Sequence, residues 1–196
     1  MTLLFIDACI RGDQSRTKKL CDVFLTRYCE RHPDHEIQRV DIDALGLRPL
    51  MRETLMQRDQ LREQNRYDDP MFDLARQFAA ADLILIGAPY WDFSFPAALK
   101  TYIEHISIGE LLFTYDASGN PTGLCEANDV IYLTTAGSGI EKDDHAGGQI
   151  RSLFSALYGI EGYHEVRAEW LDCEDRDTET ILADAIIAAK TLAEKF

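Results

Sequence analysis

The sequence predicts a doubly wound α/β fold on a five-stranded parallel sheet, in strand order 2-1-3-4-5, with an inserted β-hairpin. Three observations carry that prediction. Residues 3–6, 83–88 and 130–135 are unbroken apolar or β-branched runs, the signature of parallel strands covered on both faces. Residues 36–42 and 166–171 mix Gln38, Arg39 and Asp41, or Arg167 and Glu169, into similar runs, as edge strands with one wet side do. Amphipathic stretches separate these runs in regular βα alternation, which fits a doubly wound parallel sheet.

Taken in order, strand 3–6 feeds a helix over 16–31 with Leu20, Val23, Phe24 and Tyr28 on one face. Strand 36–42 follows, then an insert over 44–70 rich in arginine (Arg48, Arg52, Arg58, Arg62, Arg66). A helix over 71–81 precedes the strand at 83–88, and Pro96 occupies a first-turn position of a helix over 96–106. Residues 111–124 read as a hairpin turning at Ser118-Gly119-Asn120-Pro121. Beyond strand 130–135 come a helix over 145–158, strand 166–171 and a last helix over 178–196. That helix carries the stripe Ile181, Leu182, Ala185, Ile186, Ala189, Leu192 and Phe196.

With 196 residues, 46% of them hydrophobic, one domain over 1–196 is expected. Twenty basic against 34 acidic side chains give a net charge of −14, which repels phosphodiester backbones and argues against nucleic acid as a partner. No apolar run approaches the thickness of a bilayer, and the first apolar run stops at Asp7 without a basic flank, so a soluble, cytoplasmic protein without a membrane partner is expected. The five cysteines are scattered without a C-x-x-C pair and read as free thiols. His32-Pro33-Asp34-His35 reads as a solvated turn rather than a metal site, and no metal is expected. Hydrolase elbows and zincin pairs are absent from the sequence.

In this topology a ligand lies beyond the carboxyl ends of the strands, where strand order reverses. Three loops are thereby brought together. The first contains Cys9, Arg11, Ser15, Arg16 and Thr17 at a strand-to-helix turn, where free N–H groups, hydroxyls and guanidiniums suit a phosphate dianion. A plain N-cap role for Ser15 is the simpler alternative. A cysteine followed by an arginine also invites comparison with low-molecular-weight phosphotyrosine phosphatases, in which Cys9 would be the nucleophile. Here one residue too many separates it from Arg16-Thr17. The second loop, Pro89-Tyr90-Trp91-Asp92-Phe93, offers an aromatic slot for a flat conjugated ring. The third, Thr135-Ala136-Gly137-Ser138-Gly139, lets backbone approach the ring's polar rim and is neither a Walker loop nor a dinucleotide fingerprint.

Together with Pro96-Ala97-Ala98-Leu99-Lys100 and Phe113-Thr114-Tyr115, these motifs make the sequence resemble the flavodoxin-like FMN-dependent NAD(P)H azoreductase and quinone reductase family. The resemblance implies FMN with its phosphate at residues 15–17, the flavin ring along Tyr90 to Phe93, and backbone contacts at 135–139. It also implies NADH or NADPH as co-substrate, a small-molecule quinone or azo acceptor, a ping-pong cycle, and a homodimer in which Tyr115 walls the substrate pocket. A flavodoxin-type electron carrier is the rival reading on the same fold. Two departures stand out: Cys9 replaces the serine many members carry, and Glu141 replaces a histidine, leaving His145 as the nearby candidate for a proton-donating pocket residue.

Overall fold

The computed structural model describes residues 1–142 and 144–196 of the chain. β1 (Thr2–Asp7) is buried from Leu3 onward and passes through a 3-10 turn into α1 (Arg16–Arg31), whose inner face buries Leu20, Cys21, Phe24 and Tyr28. β2 (Glu36–Asp41) buries Val40 alone and runs into α2 (Ile42–Leu45), which Gly46 stops in the left-handed conformation. α3 (Arg52–Glu63) and α4 (Asp73–Ala79) precede β3 (Leu83–Gly87), which is buried throughout. α5 (Ala97–Ile106) leads to a hairpin of β4 (Phe113–Tyr115) and β5 (Pro121–Gly123). β6 (Asp129–Thr135), α6 (Gly147–Leu153), β7 (Gly162–Ala168) and α7 (Thr178–Ala193) complete the chain.

The main sheet runs β2-β1-β3-β6-β7 with every pair parallel. With the hairpin strands left out of the count, this is the expected 2-1-3-4-5 order. Alternation along the strands splits the core in two. Leu4, Ile6, Ile84, Ile86, Val130 and Tyr132 face Phe78, Leu99, Tyr102 and Phe154 on one side. Leu3, Phe5, Leu83, Leu85, Ile131 and Leu133 face Leu20, Phe24, Ala185 and Ala189 on the other.

Several boundaries differ from the sequence reading, each for a physical reason. The fifth strand of the sheet begins at Gly162 and ends at Ala168, whereas the sequence pointed to 166–171. Tyr163, His164, Glu165 and Arg167 hide the strand from an apolar count, but ladder pairing with β6, from Asp129↔Gly162 to Thr135↔Ala168, sets its register. The insert holds a helix, α3, that buries none of its residues and therefore shows no apolar stripe. The expected 145–158 helix starts at Gly147, and its last turn, Phe154–Tyr158, widens to a π-turn. The last helix stops at Ala193, and the 71–81 helix is a 3-10 turn, Pro70–Phe72, followed by α4. The hairpin turn spans residues 116–120, with the Asp116 carboxylate accepting the N–H groups of Ser118 and Asn120. The Asn120 side chain and these amides hold that carboxyl below its ordinary pKa.

Phe78 is fully buried with its ring edge-on to Phe154 and Tyr158. Replacing it with alanine is expected to cost about 3–5 kcal/mol, read as a lower urea midpoint at unchanged slope.

Candidate functional site

The loops after β1, β3 and β6 meet at one cleft of about 200 Å³. Arg11, Ser15 and Arg16 come from the first loop, Pro89, Tyr90 and Trp91 from the second, and Thr135 and Gly137 from the third. Gln14 and Asp172 complete the wall.

In the first loop, the Asp7 carboxylate accepts the Cys9 N–H at 3.0 Å and is held from the neighbouring strand by Arg39 Nη2 at 2.6 Å. Ser15 caps α1, its hydroxyl accepting the Lys18 N–H at 3.2 Å. The next two helix amides, of Arg16 and Thr17, have no acceptor among the described residues, which leaves the positive end of a sixteen-residue helix facing the cleft. The Thr17 hydroxyl is committed elsewhere. It shares a buried 2.7 Å hydrogen bond with the Thr135 hydroxyl and so ties the first loop to the third. Arg16 donates to the Leu171 carbonyl at 2.7 Å and pairs with Asp172 at 2.8 Å, drawing the β7–α7 loop onto the cleft.

Cys9 is not brought to the cleft wall. Its buried thiol donates to the Gly87 carbonyl at 3.5 Å and lines a separate recess with Asp7 and Arg39. A phosphatase nucleophile has to face the anion cradle, and this thiol does not.

In the second loop, Trp91 and Ser94 exchange backbone hydrogen bonds of 2.7 and 2.8 Å around Asp92 and Phe93, whose φ angles are +49° and +64°. This is a two-residue turn of the mirrored type, normally given to asparagine and glycine, and here it holds a phenylalanine 64% exposed. The amides of Asp92 and Phe93 have no acceptor among the described residues. Tyr90 donates its N–H to the Thr135 carbonyl at 3.0 Å, while its hydroxyl is buried without a partner among the described residues. Burial, reinforced by Asp144 and Glu141, pushes that hydroxyl's pKa up.

The third loop is anchored through its carbonyls. Those of Ala136, Gly137 and Ser138 accept the amides of Leu171, Asp172 and Trp170 at 3.0–3.1 Å. The amides of Gly137, Ser138 and Gly139 are left without acceptors among the described residues. Both glycines sit close to neighbouring side chains: a Cβ on Gly137 would lie 2.1 Å from the Asp172 carboxylate and one on Gly139 would lie 2.4 Å from the Trp170 ring, so either substitution displaces its neighbour. His145 is exposed beside the second loop, its N–H donating to the Phe93 carbonyl at 3.2 Å. Tyr115 stands 59% exposed on the hairpin, packed edge-on to Phe113, and is not on the cleft wall of its own chain.

Sequence reasoning missed Gln14, Asp172 and Trp170. The last two follow the edge strand β7, outside the switch-point loops, and no composition signal marks them. Trp170, at φ +64°, becomes noticeable only through its backbone.

Residues 1–192 match the family model described as flavodoxin-like fold. The chain belongs to that family. Among flavodoxin-like relatives, the FMN-dependent NADH:quinone oxidoreductase 2 of Clostridium acetobutylicum is 33% identical over 187 residues, covering 93% of this chain and 92% of the relative. The FMN-dependent NADH:quinone oxidoreductase of Clostridium beijerinckii is 32% identical over 197 residues, covering 99% and 98%. The structure of an FMN-dependent NADH-azoreductase from Bacillus anthracis in complex with FMN superposes with a TM-score of 0.85 at 21% identity, over 99% of this chain and 98% of that one, a likeness of fold.

Thr17→Val removes one hydroxyl of the buried pair and leaves that of Thr135 unpaired. A loss of about 1–3 kcal/mol in unfolding free energy is expected, measured by chemical denaturation.

Proposed function

We propose that this chain is an FMN-dependent oxidoreductase that passes two electrons from NADH to a quinone or azo acceptor. The observation that carries the reading is the set of backbone N–H groups, without acceptors among the described residues, on the three loops that meet at the cleft: two at the start of α1, two in the turn beside Trp91, and three in the glycine turn. Four of them, on Arg16, Thr17, Gly137 and Gly139, belong to buried or half-buried residues, where donors without partners are uncommon, and the set suits a long ligand that is anionic at one end and rich in acceptors at the other. The relatives' names, FMN-dependent NADH:quinone oxidoreductases, supply the matching molecule.

The residues fit FMN. Ser15 and the amides of Arg16 and Thr17 would hold the phosphate, with Arg11 as a further cation. Asp172, an acid on the same wall, is already neutralised by Arg16. Pro89, Tyr90 and Trp91 would bracket the ring, and Gly137 and Gly139 leave room for it at the third loop. Bound there, FMN would supply the redox chemistry, taking a hydride from NADH and returning two electrons to the acceptor in a second half-reaction at the same face. The amides of residues 137–139 would stabilise negative charge at the ring's polar edge. Exposed Trp91 and Phe93 would shield the ring from water. No side chain on the wall is needed as a nucleophile, and exposed His145 is the candidate source of a proton. NADH is the favoured donor because the relatives are named FMN-dependent NADH:quinone oxidoreductases.

The exposed apolar side chains Met51, Met56, Phe93 and Tyr115 support a homodimer in which a second copy covers apolar surface and brings its Tyr115 to the cleft. An electron carrier on the same fold has no use for the hairpin or for α3.

Purified protein, reconstituted with FMN if colourless, should show flavin absorption that NADH bleaches directly, faster than NADPH, with parallel initial-rate lines for a quinone acceptor. Bleaching by dithionite alone would instead favour the carrier, and failure to take up FMN would remove the reading. Sedimentation should give twice 22.3 kDa. Ser15→Ala should weaken FMN binding about fivefold and leave riboflavin binding unchanged.

A further inference from the structure

Behind the Trp91–Ser94 turn lies an ion-pair network outside the cleft wall. Arg167, on the edge strand β7, grips Glu165 with Nε to Oε1 at 2.5 Å and Nη2 to Oε2 at 2.9 Å, and reaches Asp144 Oδ2 at 3.1 Å. The Asp144 side chain is only 7% exposed. Its other oxygen accepts the N–H groups of Ala146 at 2.9 Å and Gly147 at 2.7 Å. Gly147 sits so tightly on the network that a Cβ there would lie 2.4 Å from the Tyr163 hydroxyl and 3.1 Å from Glu165.

His145, between the two ends of this clasp, is the residue that meets the turn. Its N–H donates to the Phe93 carbonyl, and its carbonyl accepts the Ser94 hydroxyl, both at 3.2 Å. The turn has need of such support. Two adjacent non-glycine residues at positive φ persist only where the surroundings over-determine them. Within the turn itself, only the Trp91–Ser94 backbone pair opposes relaxation.

We propose that Arg167 and Asp144 are positioning residues for the ring end of the flavin site: their ion pair clamps residues 144–147 against the Trp91–Ser94 turn and so fixes the unpaired amides of Asp92 and Phe93 beside Trp91. The consequence for flavin rests on the FMN reading, whereas the mechanical coupling does not. A buried carboxylate that caps two amides and also takes a guanidinium is a rigid joint, because removing either partner leaves the other charge or donor unpaired. Arg167 is matched to this task by its fork, which serves Glu165 and Asp144 at once, as a lysine ammonium on a single stem does not.

The test has two arms. In flavin-free protein, amide hydrogen exchange at Trp91, Ser94 and His145 is followed for wild type, Arg167→Met, Arg167→Lys and Asp144→Asn. Arg167→Met is expected to speed exchange at these three amides about tenfold while the amides of β1 and β3 keep their protection. Arg167→Lys should fall between it and wild type. Asp144→Asn keeps the amide-accepting oxygen but loses the charge, and should move in the same direction as Arg167→Met.

In the second arm, dissociation constants for riboflavin and FMN are measured side by side. Arg167→Met should raise both by the same factor, about tenfold, leaving their ratio unchanged because the phosphate end is untouched. Unchanged exchange at the three amides in a folded Arg167→Met protein overturns the proposal. So does a loss of protection spread equally over β1 and β3, which marks an ordinary structural brace. If Arg167→Met does not fold, Arg167→Lys and Asp144→Asn carry the same comparison. Should wild type bind neither flavin, the FMN reading fails and the exchange arm still decides the coupling.

Discussion

A parallel sheet covered on both faces imposes the constraint from which the site follows. Each crossover must leave one face or the other, and the chain reverses its direction of travel across the sheet between β1 and β3. Neighbouring loops at that reversal are carried to opposite faces, so a gap opens between them that no side chain of either crossover fills. Everything chemical about the cleft depends on this gap, because it leaves main-chain amides in a concave place without partners. The burial of Leu3–Ile6 and of β3 and β6 through both faces is what makes the frame rigid enough to hold it.

The loops are then fastened by short polar ties that leave those amides free of acceptors among the described residues. Thr17 and Thr135 join hydroxyls between α1 and β6, Arg16 draws in the Leu171 carbonyl, and the glycine turn spends its carbonyls on residues 170–172. Asp7, braced by Arg39, orients the first turn. The ties at the third loop consume its carbonyls and leave its amides without acceptors among the described residues. The same division of labour explains the strained Asp92–Phe93 turn: it offers two more amides, and a neighbouring segment, clasped to β7, holds it in place.

Periodicity made the sheet readable wherever a strand is dry on both sides. It displaced the bounds of β7, where Tyr163, His164, Glu165 and Arg167 form a polar ladder on an edge, and it did not show α3, which meets the core only through half-buried side chains such as Leu61. Of the site, the residues on the three switch-point loops could be named from their order along the chain, since topology alone brings such loops together. Their separate roles could not. That the Thr17 hydroxyl meets another threonine, and that the Cys9 thiol turns to the Gly87 carbonyl, are contacts between residues far apart in the chain.

The sequence by itself determined the fold class, the strand order and which loops would meet, because hydrophobic alternation and crossover handedness are properties of local segments that survive in any packing consistent with them. Only the tertiary structure decided which groups remain unpaired at the cleft, that Asp172 and Arg16 neutralise one another there, and that Arg167 reaches Asp144. Those outcomes depend on contacts between residues far apart in the chain, with distances of a few ångströms, and a one-dimensional pattern does not encode distances of that kind.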